Sequence, residues 1–538
     1  MSNSDSLHVP AATAGPVSNA DRSARSDLGF WCFFVGLIVV TCAAAFVRLF
    51  NLMAFQVHTD EASWVLWTDT MDPRRIETLW TTFKADGRTP LYSWAVWGSR
   101  QLPIEPLLAA RLVSAGAGIL TTGATLVLGV QLFGRWPALA GAALYAVSSY
   151  AVFFERIAND DGLATLLGML GVICAVAATQ RSSFPLAMCS GALAFLSFLA
   201  KPTGALFLAA PVMASVLLAR DRRGWLCASL AIAAAIGCYG MLALAAGSML
   251  ELMDRNRNVH ALPIQEMLKF PLDRWTANAQ RLSGAWVGYQ GWPLFVLAVL
   301  GIVVPIGTFR ARLFTLALAV LPLGFFTILG GVLFSRYLLL GTPSLCLLAG
   351  VGAVGVGTLA SRWGEHLRVR VALSGGLMVL GAGGGFALLI SVISQPAQAP
   401  LPSPDRDYIE GVASGWGVHE VAEILRSEAA RGRVMLLKRS GPFYPEIAVM
   451  YELRDMSNVR VRDERLLRFD DPSLADVVRW RQRDEPVYFF VNACCWDPGT
   501  ADAEDWRTRR VMAEVPGVQR VAAIDRPGER SRLVLFRL

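Results

Sequence analysis

The feature that most constrains this chain is a series of apolar runs, each long enough to cross a membrane as a helix. A transmembrane helix needs roughly 17–25 mostly apolar residues, and only 17% of the residues of this chain are charged. The runs lie at 29–50, 104–133, 136–153, 162–179, 185–200, 203–219, 225–247, 292–308, 312–334, 337–359 and 371–394. The sequence therefore predicts a polytopic α-helical membrane protein with about eleven transmembrane helices.

The arginines of the short loops indicate the orientation of these helices. If the N-terminus is cytoplasmic, the inner short loops are rich in arginine, as at Arg222, Arg223 and Arg310, and the outer short loops are not. This contrast fits the positive-inside rule, so the net charge of +7 does not indicate nucleic-acid binding. An odd number of spans then places the C-terminal region outside the cytoplasm. We expect an integral protein of a bacterial inner membrane.

Changes in composition divide the chain into regions. In the first long loop, 61–71 and 75–84 mix apolar and charged residues at helical spacing and predict short helices that lie on the membrane surface. The predicted regions are a disordered cytoplasmic tail at 1–27, a membrane domain at 28–394 with long outer loops at 51–103 and 250–291, a proline-containing linker at 395–404, and an extracytoplasmic α/β or α+β domain at 405–538.

Ionisable residues collect at the predicted outer ends of the spans. Charges at membrane depth cost roughly a few kcal/mol unless they are paired or hydrated, so they mark candidate functional sites. Carboxylates facing cations suit a substrate that gains negative charge at one atom and loses a proton from another. The residues concerned are Asp60, Glu61, Arg111, Glu155, Arg156, Asp160, Asp161, Lys201 and Arg336.

Several short motifs resemble those of GT-C glycosyltransferases that use lipid-linked sugars, with protein O-mannosyltransferases and lipid A aminoarabinose transferases as the nearest likenesses. The departures from the family pattern are Thr89 and Pro202, which replace a proline and a glycine, and Asp160, which is an extra acid. The motifs are His58-Thr59-Asp60-Glu61, Arg88-Thr89-Pro90-Leu91-Tyr92-Ser93-Trp94, Ala110-Arg111-Leu112-Val113-Ser114-Ala115, Glu155-Arg156-Ile157-Ala158-Asn159-Asp160-Asp161, Leu199-Ala200-Lys201-Pro202 and Ser335-Arg336-Tyr337-Leu338.

The resemblance implies a GT-C-like fold and transfer of a sugar, with inversion, from a polyprenyl-phosphate donor to a lipid, glycan or protein acceptor. It implies Asp60 as general base, with Asp161, or its neighbour Asp160, as the second acid. Glu61 is expected to orient a neighbour, because adjacent helical side chains point about 100° apart. The expected residues for the donor's phosphate and sugar are Arg111, Arg156, Lys201, Arg336, Tyr92 and Tyr337.

Plainer interpretations stay open at this point. Asp60 could cap the helix that follows it, and Asp160 and Asp161 could favour a helix start. Lys201 and Arg336 could anchor helix ends at the membrane surface. Arg156 could pair with a neighbouring carboxylate such as Glu155.

Two further alternatives concern chemistry and class of protein. A divalent metal between Asp60 and Asp161 is the alternative to a purely organic site, because hard cations prefer oxygen ligands. A lipid or solute transporter or flippase is the alternative function, although transporters usually place their charges near the membrane midplane. The sequence names neither the sugar nor the acceptor.

Overall fold

The computed structural model describes residues 19–219, 221–247, 250–251, 260–361, 367–411, 413–439, 445–464, 485–494, 506–528 and 531–538. Most of the predicted disordered tail, residues 1–18, lies outside the described residues. The rest of that region differs from the prediction, because the first helix begins at Asn19 and continues to Leu49.

Helices make up most of the described chain. In chain order they are α1 Asn19–Leu49, α2 Thr59–Asp69, α3 Thr81–Asp86, α4 Leu91–Ser99, α5 Pro106–Phe133, α6 Arg135–Ala146, α7 Ser149–Arg156, α8 Asp160–Arg181, α9 Phe184–Ala200, α10 Ala209–Leu217, α11 Arg222–Ala246, α12 Ile264–Met267, α13 Leu272–Gln290, α14 Trp292–Val303, α15 Phe309–Leu329, α16 Thr342–Ala360, α17 Leu367–Ser394, α18 Val418–Ala429, α19 Pro445–Glu452 and α20 Trp506–Glu514. Short 3₁₀ helices lie at Ile76–Thr78, Pro202–Leu208, Ser335–Gly341, Pro396–Gln398 and Ser403–Tyr408.

The chain is an integral membrane protein. Within the described residues, seven helices are long and apolar enough to cross a membrane, or nine if each of two bent helix pairs counts as one span. The bent pairs are α6 with α7, at 54°, and α13 with α14, at 101°. Two shorter apolar helices, Phe184–Ala200 and Pro202–Leu217, coincide with two more predicted spans. The polytopic helical architecture is confirmed, and the figure of eleven crossings stays a prediction.

The helix α2 differs from the expected surface helix. Its residues Thr59 to Val65 are all buried, because α2 packs between α4 and α5 on one side and α19 on the other. Trp64 has no exposed surface and shares an apolar cluster with Val421 and Leu436 from the C-terminal part of the chain. The first long loop and the C-terminal region are therefore joined by a common core.

The C-terminal part contains a five-stranded mixed sheet. The order of its strands is β2-β1-β3-β5-β4, with β1 parallel to β2 and β3, and β5 antiparallel to β3 and β4. The strands are β1 Val434–Arg439, β2 Val459–Glu464, β3 Val487–Cys494, β4 Gln519–Asp525 and β5 Ser531–Arg537. One face of β1 and β3 packs on the cluster that includes Trp64, and the other face packs on α20.

Candidate active site

The first element of the site is the N-terminus of α2. His58 caps this helix, since its Nδ1 accepts a hydrogen bond from the backbone N–H of Asp60 at 3.2 Å. The Glu61 carboxylate in turn accepts a hydrogen bond from the backbone N–H of His58 at 2.9 Å, which completes a capping box. The cap fixes where Asp60 points, and the structure makes His58, not Asp60, the capping residue.

Glu61 and Arg111 form a buried ion pair that supports this helix. The Nε and Nη2 atoms of Arg111 donate to the two carboxylate oxygens of Glu61, each at 2.8 Å, and both side chains have no exposed surface. Glu61 Oε1 also accepts from the backbone N–H of Ala158 at 2.8 Å. Arg111 further donates to the carbonyl of Leu52 at 2.9 Å. These contacts tie α2 to the turns at both sides, and none of them reaches the Asp60 carboxylate.

Arg156 likewise has a structural set of partners. Its guanidinium donates to the carbonyls of Val47, Phe50 and Asn51 at 2.7–2.9 Å. The last carbonyls of a helix lack intrahelical partners, so Arg156 satisfies the end of α1 immediately before the chain turns towards Asp60. The structure thus brings neither Arg111 nor Arg156 into the group around Asp60, in contrast to the expectation that both bind the donor.

Asp60 lies between two arginines from distant parts of the chain. Its Oδ1 accepts from Arg88 Nη2 at 3.1 Å, and its Oδ2 accepts from Arg336 Nη1 at 3.0 Å. Arg88 follows Gly87, whose left-handed backbone (φ 64°) ends α3. Arg336 stands in the 3₁₀ helix Ser335–Gly341 and is 276 residues away from Asp60 in sequence.

Two adjacent aspartates, Asp160 and Asp161, lie next to Asp60, and Arg336 connects Asp161 to it. Asp160 and Asp161 begin α8, and Lys201 Nζ donates to both, at 2.9 and 2.6 Å. Arg336 Nε lies 3.6 Å from Asp161 Oδ2, so Arg336 bridges Asp60 and Asp161. The Oδ1 atom of Asp161 is buried without a hydrogen-bond partner in the described part of the chain. Both acids of this motif therefore share Lys201, and only Asp161 reaches Arg336.

The group joins charges of both signs in a mostly buried position. Three buried carboxylates (Asp60, Asp160, Asp161) face three cations, of which Lys201 and Arg336 are buried and Arg88 is half-buried. Arg88 also pairs with a fourth carboxylate, that of Asp86, at 2.8 Å. Burial alone would raise the pKa of Asp60, but the attraction of Arg88 and Arg336 outweighs it and lowers that pKa. Burial opposes the charge of Lys201 too, and the two aspartates outweigh it and raise the Lys201 pKa. Both groups are therefore ionised at neutral pH.

The two predicted tyrosines occupy different positions. The ring of Tyr337 lies under Lys201, whose Nζ is 5.4 Å from the ring centroid, so Tyr337 borders the group. Tyr92 instead packs on Trp64, and its hydroxyl contacts Ser114 at 2.9 Å. Tyr92 therefore holds α4 against α5, beneath the site.

The residues present do not fit a divalent metal between Asp60 and Asp161. Arg336 already bridges these two carboxylates, and its charge disfavours a second cation there. Across the described residues, no group of three or more metal-ligating side chains is placed to hold an ion. No step in the chemistry below involves a metal.

Sequence reasoning missed one member of the group, Arg88, and two residues that contact the Ser335–Arg336 turn beside it, Asp405 and Tyr408. Arg88 was present in a recognised motif but was not assigned a role. Asp405 and Tyr408 come from the region after the last span: Ser335 donates a short hydrogen bond to Asp405, and Arg336 Nη1 donates to the Tyr408 hydroxyl at 3.0 Å. Their three-residue spacing matches a 3₁₀ helix, which is the one sequence signal that relates them.

Comparison with solved structures identifies the fold. ArnT from Cupriavidus metallidurans bound to undecaprenyl phosphate aligns with a TM-score of 0.54 and 14% identity, over 93% of this chain and 98% of that one. The Archaeoglobus fulgidus oligosaccharyltransferase in its apo form aligns with a TM-score of 0.52 and 9% identity, over 86% of this chain and 69% of that one. The chain has the GT-C fold. The GT-C resemblance drawn from the motifs is thus confirmed for the fold.

A sequence comparison matches part of the chain to a family model. The family model for dolichyl-phosphate-mannose-protein mannosyltransferase matches residues 87–246. This range includes Arg88, Asp160, Asp161 and Lys201, and it excludes Asp60 and Arg336. No curated protein matches the chain in sequence.

Proposed function

We propose that the chain is a membrane glycosyltransferase. In this proposal it moves a sugar from a polyprenyl-phosphate donor to a lipid, glycan or protein acceptor on the outer face of a bacterial inner membrane. The observation that carries the proposal is the buried group in which Arg336 joins Asp60 to Asp161 beside Lys201. Such a group offers an acceptor for a proton next to cations for a phosphate.

Asp60 is the general base of the proposed reaction. It takes the proton of the acceptor hydroxyl while the hydroxyl oxygen attacks the anomeric carbon, a contribution of about 10²–10⁴ in rate. The bond from the anomeric carbon to the phosphate oxygen breaks, and its electron pair stays on the lipid phosphate. Attack opposite the leaving group inverts the anomeric configuration. Asp161 accepts a hydrogen bond from a substrate hydroxyl through its Oδ1, which has no hydrogen-bond partner among the described residues.

Arg336 and Lys201 stabilise the phosphate as it leaves. Preorganised cations stabilise developing charge strongly in a site that excludes water. Before the donor binds, these cations are paired with the carboxylates, so the phosphate competes with Asp60 for Arg336. Loss of that partner raises the affinity of Asp60 for a proton, because a nearby cation is what holds its pKa low. Donor binding therefore makes Asp60 a stronger base.

Known structures of the same fold support the choice of donor. ArnT was solved bound to undecaprenyl phosphate, and the Archaeoglobus fulgidus AglB was solved with an inhibitory peptide and a dolichol-phosphate, at a TM-score of 0.51 to this chain. In our proposal a lipid phosphate of the same chemical class is the donor's leaving group here.

Reconstitution tests the proposal. The full chain in proteoliposomes is supplied with radiolabelled polyprenyl-phosphate sugars and extracts that contain lipid, glycan and protein acceptors. We expect label to move from the lipid phosphate to an acceptor on one side of the membrane only. If the labelled lipid crosses the membrane and is never cleaved, the chain is a flippase and the proposal is wrong.

A further inference from the structure

The segment that links the last long helix to the C-terminal sheet touches the proposed site. This connecting segment is defined here as residues 403–411 and 413–417. It begins with the 3₁₀ helix Ser403–Tyr408, in which side chains three residues apart lie on the same side. Asp405 and Tyr408 have this spacing, and both contact the Ser335–Arg336 turn.

Tyr408 contacts the guanidinium that connects the acidic residues. Arg336 Nη1 donates to the Tyr408 hydroxyl at 3.0 Å and to Asp60 Oδ2 at 3.0 Å. Arginine has a long side chain with many rotamers, and each fixed partner limits them. The Tyr408 hydroxyl thus gives Arg336 a neutral partner in addition to the carboxylates, one that a bound phosphate does not displace by charge.

The Tyr408 ring is itself held in place. It packs edge-on against Phe153, with ring centroids 5.3 Å apart, and its centroid is 4.7 Å from that of His58. His58 caps α2 and so fixes the backbone of Asp60. Tyr408 therefore contacts Arg336 directly and also contacts His58, which supports Asp60.

The rest of the connecting segment is fixed to the same helix. The carbonyl of Ala413 accepts from the backbone N–H and the hydroxyl of Thr59, at 3.1 and 2.9 Å. Gly415 lies so near Val57 that a Cβ there would be 1.9 Å from the Val57 carbonyl oxygen. Arg526, which is buried beyond β4, donates to the carbonyls of Gly411, Ser414 and Trp416. The segment is thus held on one side by α2 and on the other by the C-terminal part.

We infer that Tyr408 is a positioning residue of the site: its hydroxyl holds Arg336 where this side chain joins Asp60 to Asp161 and receives the lipid phosphate. The inference rests on the proposed function, and it gives the C-terminal region a part in the chemistry that acts through Arg336. A purely packing role for Tyr408 needs the ring alone, so phenylalanine would serve equally well.

The test is Tyr408→Phe in the full-length protein, which keeps the ring and removes the hydroxyl. A hydrogen bond to a charged group is strong enough that its loss should weaken polyprenyl-phosphate binding about tenfold and lower the turnover rate about tenfold to hundredfold. The KM for the acceptor should stay within about threefold, because the lost contact is to Arg336. The matched control is Tyr488→Phe, which removes a 3.0 Å hydrogen bond to Glu428 in the sheet and should leave both values unchanged.

Epistasis distinguishes positioning from general destabilisation. Arg336→Lys keeps the charge but loses the planar donor fork. Added to Arg336→Lys, Tyr408→Phe should cause no further loss, whereas a packing defect would add its own. If Tyr408→Phe binds undecaprenyl phosphate and transfers sugar as the wild type does, the inference is overturned. If the wild type binds the lipid phosphate without transferring sugar, the proposed function fails, and the binding data for the variants still decide the role of Tyr408.

Discussion

The most informative perturbation is Glu61→Gln, because it separates a supporting role for Glu61 from a catalytic one. Glu61 adjoins the proposed base in sequence, and the structure gives its carboxylate four donors: Arg111 Nε and the Ala158 N–H at Oε1, and Arg111 Nη2 and the His58 N–H at Oε2. A glutamine amide has one oxygen and one NH₂ group. Whichever way it is turned, its NH₂ group faces two donors.

The size of the expected loss of stability follows from the burial of the Glu61–Arg111 ion pair. Both Glu61 and Arg111 have no exposed side-chain surface, and loss of one partner of a buried ion pair costs about 3–5 kcal/mol. We therefore expect Glu61→Gln to lower the apparent Tm in detergent clearly. The double variant Glu61→Leu with Arg111→Met removes both charges and should recover much of this stability, since apolar replacements of buried pairs are often neutral.

The assay measures thermal unfolding and sugar transfer on the same preparations. For Glu61→Gln we expect lower stability, with transfer per folded molecule within about tenfold of the wild type, because no reacting group is removed. The outcome that refutes this reasoning is the converse one. A Glu61→Gln protein with wild-type stability and no transfer would make Glu61 a catalytic residue instead of a supporting one.

Other predictions concern Lys201 and Asp405. Lys201→Met leaves two buried aspartates without their shared cation and should lower kcat/KM at least about a hundredfold. The control Lys201→Arg keeps the charge and should lose less activity. An unchanged kcat/KM for Lys201→Met would exclude Lys201 from the site. Burial raises the pKa of Asp405 from 3.8 to about 6, against the hydrogen bond from Ser335. The folded state thus holds the Asp405 proton more tightly than the unfolded state, so its stabilising effect is complete below pH 3.8 and lost as the pH rises through about 6. Relative to Asp405→Asn, wild-type stability should fall by about 2 kcal/mol between pH 4 and pH 7; parallel pH profiles of the apparent Tm would contradict this.

Much of the fold could be predicted from the sequence, because membrane-spanning helices are recognised by their length and apolar composition. It also brought Asp60, Asp161, Lys201 and Arg336 into one set, since all four stand at predicted outer ends of spans. Their contacts agree with that grouping. Their catalytic and binding roles remain predictions.

What could not be predicted was the partner of each charge. Arg111 also stands near the predicted outer end of a span, but its side chain pairs with Glu61 and the backbone carbonyl of Leu52. Arg156 similarly donates hydrogen bonds to carbonyls at the end of α1. The spacing of residues in the sequence does not indicate this role. Tyr408 lies in a region without a catalytic motif, and its contact with Arg336 depends on how the connecting segment folds back.

The same limit applies to the first long loop, residues 51–103. The sequence 61–71 has helical spacing with mixed polarity, which is typical of a surface helix. The C-terminal region covers that helix, so Trp64 and Val65 are buried in a core shared with residues from α18 to β5. Burial by a distant part of the chain is a tertiary effect that a local pattern cannot indicate.

The central claim, that Asp60 accepts the proton of the acceptor, is tested most directly by sugar transfer with Asp60→Asn. The matched control is Asp69→Asn at the other end of α2, which removes an ion pair with Arg100 far from the proposed chemistry. We predict that Asp60→Asn still binds undecaprenyl phosphate but loses about 10²–10⁴ in turnover, while Asp69→Asn transfers normally. Wild-type turnover by Asp60→Asn, above all if Asp161→Asn is inactive, would contradict the account and make Asp161 the base.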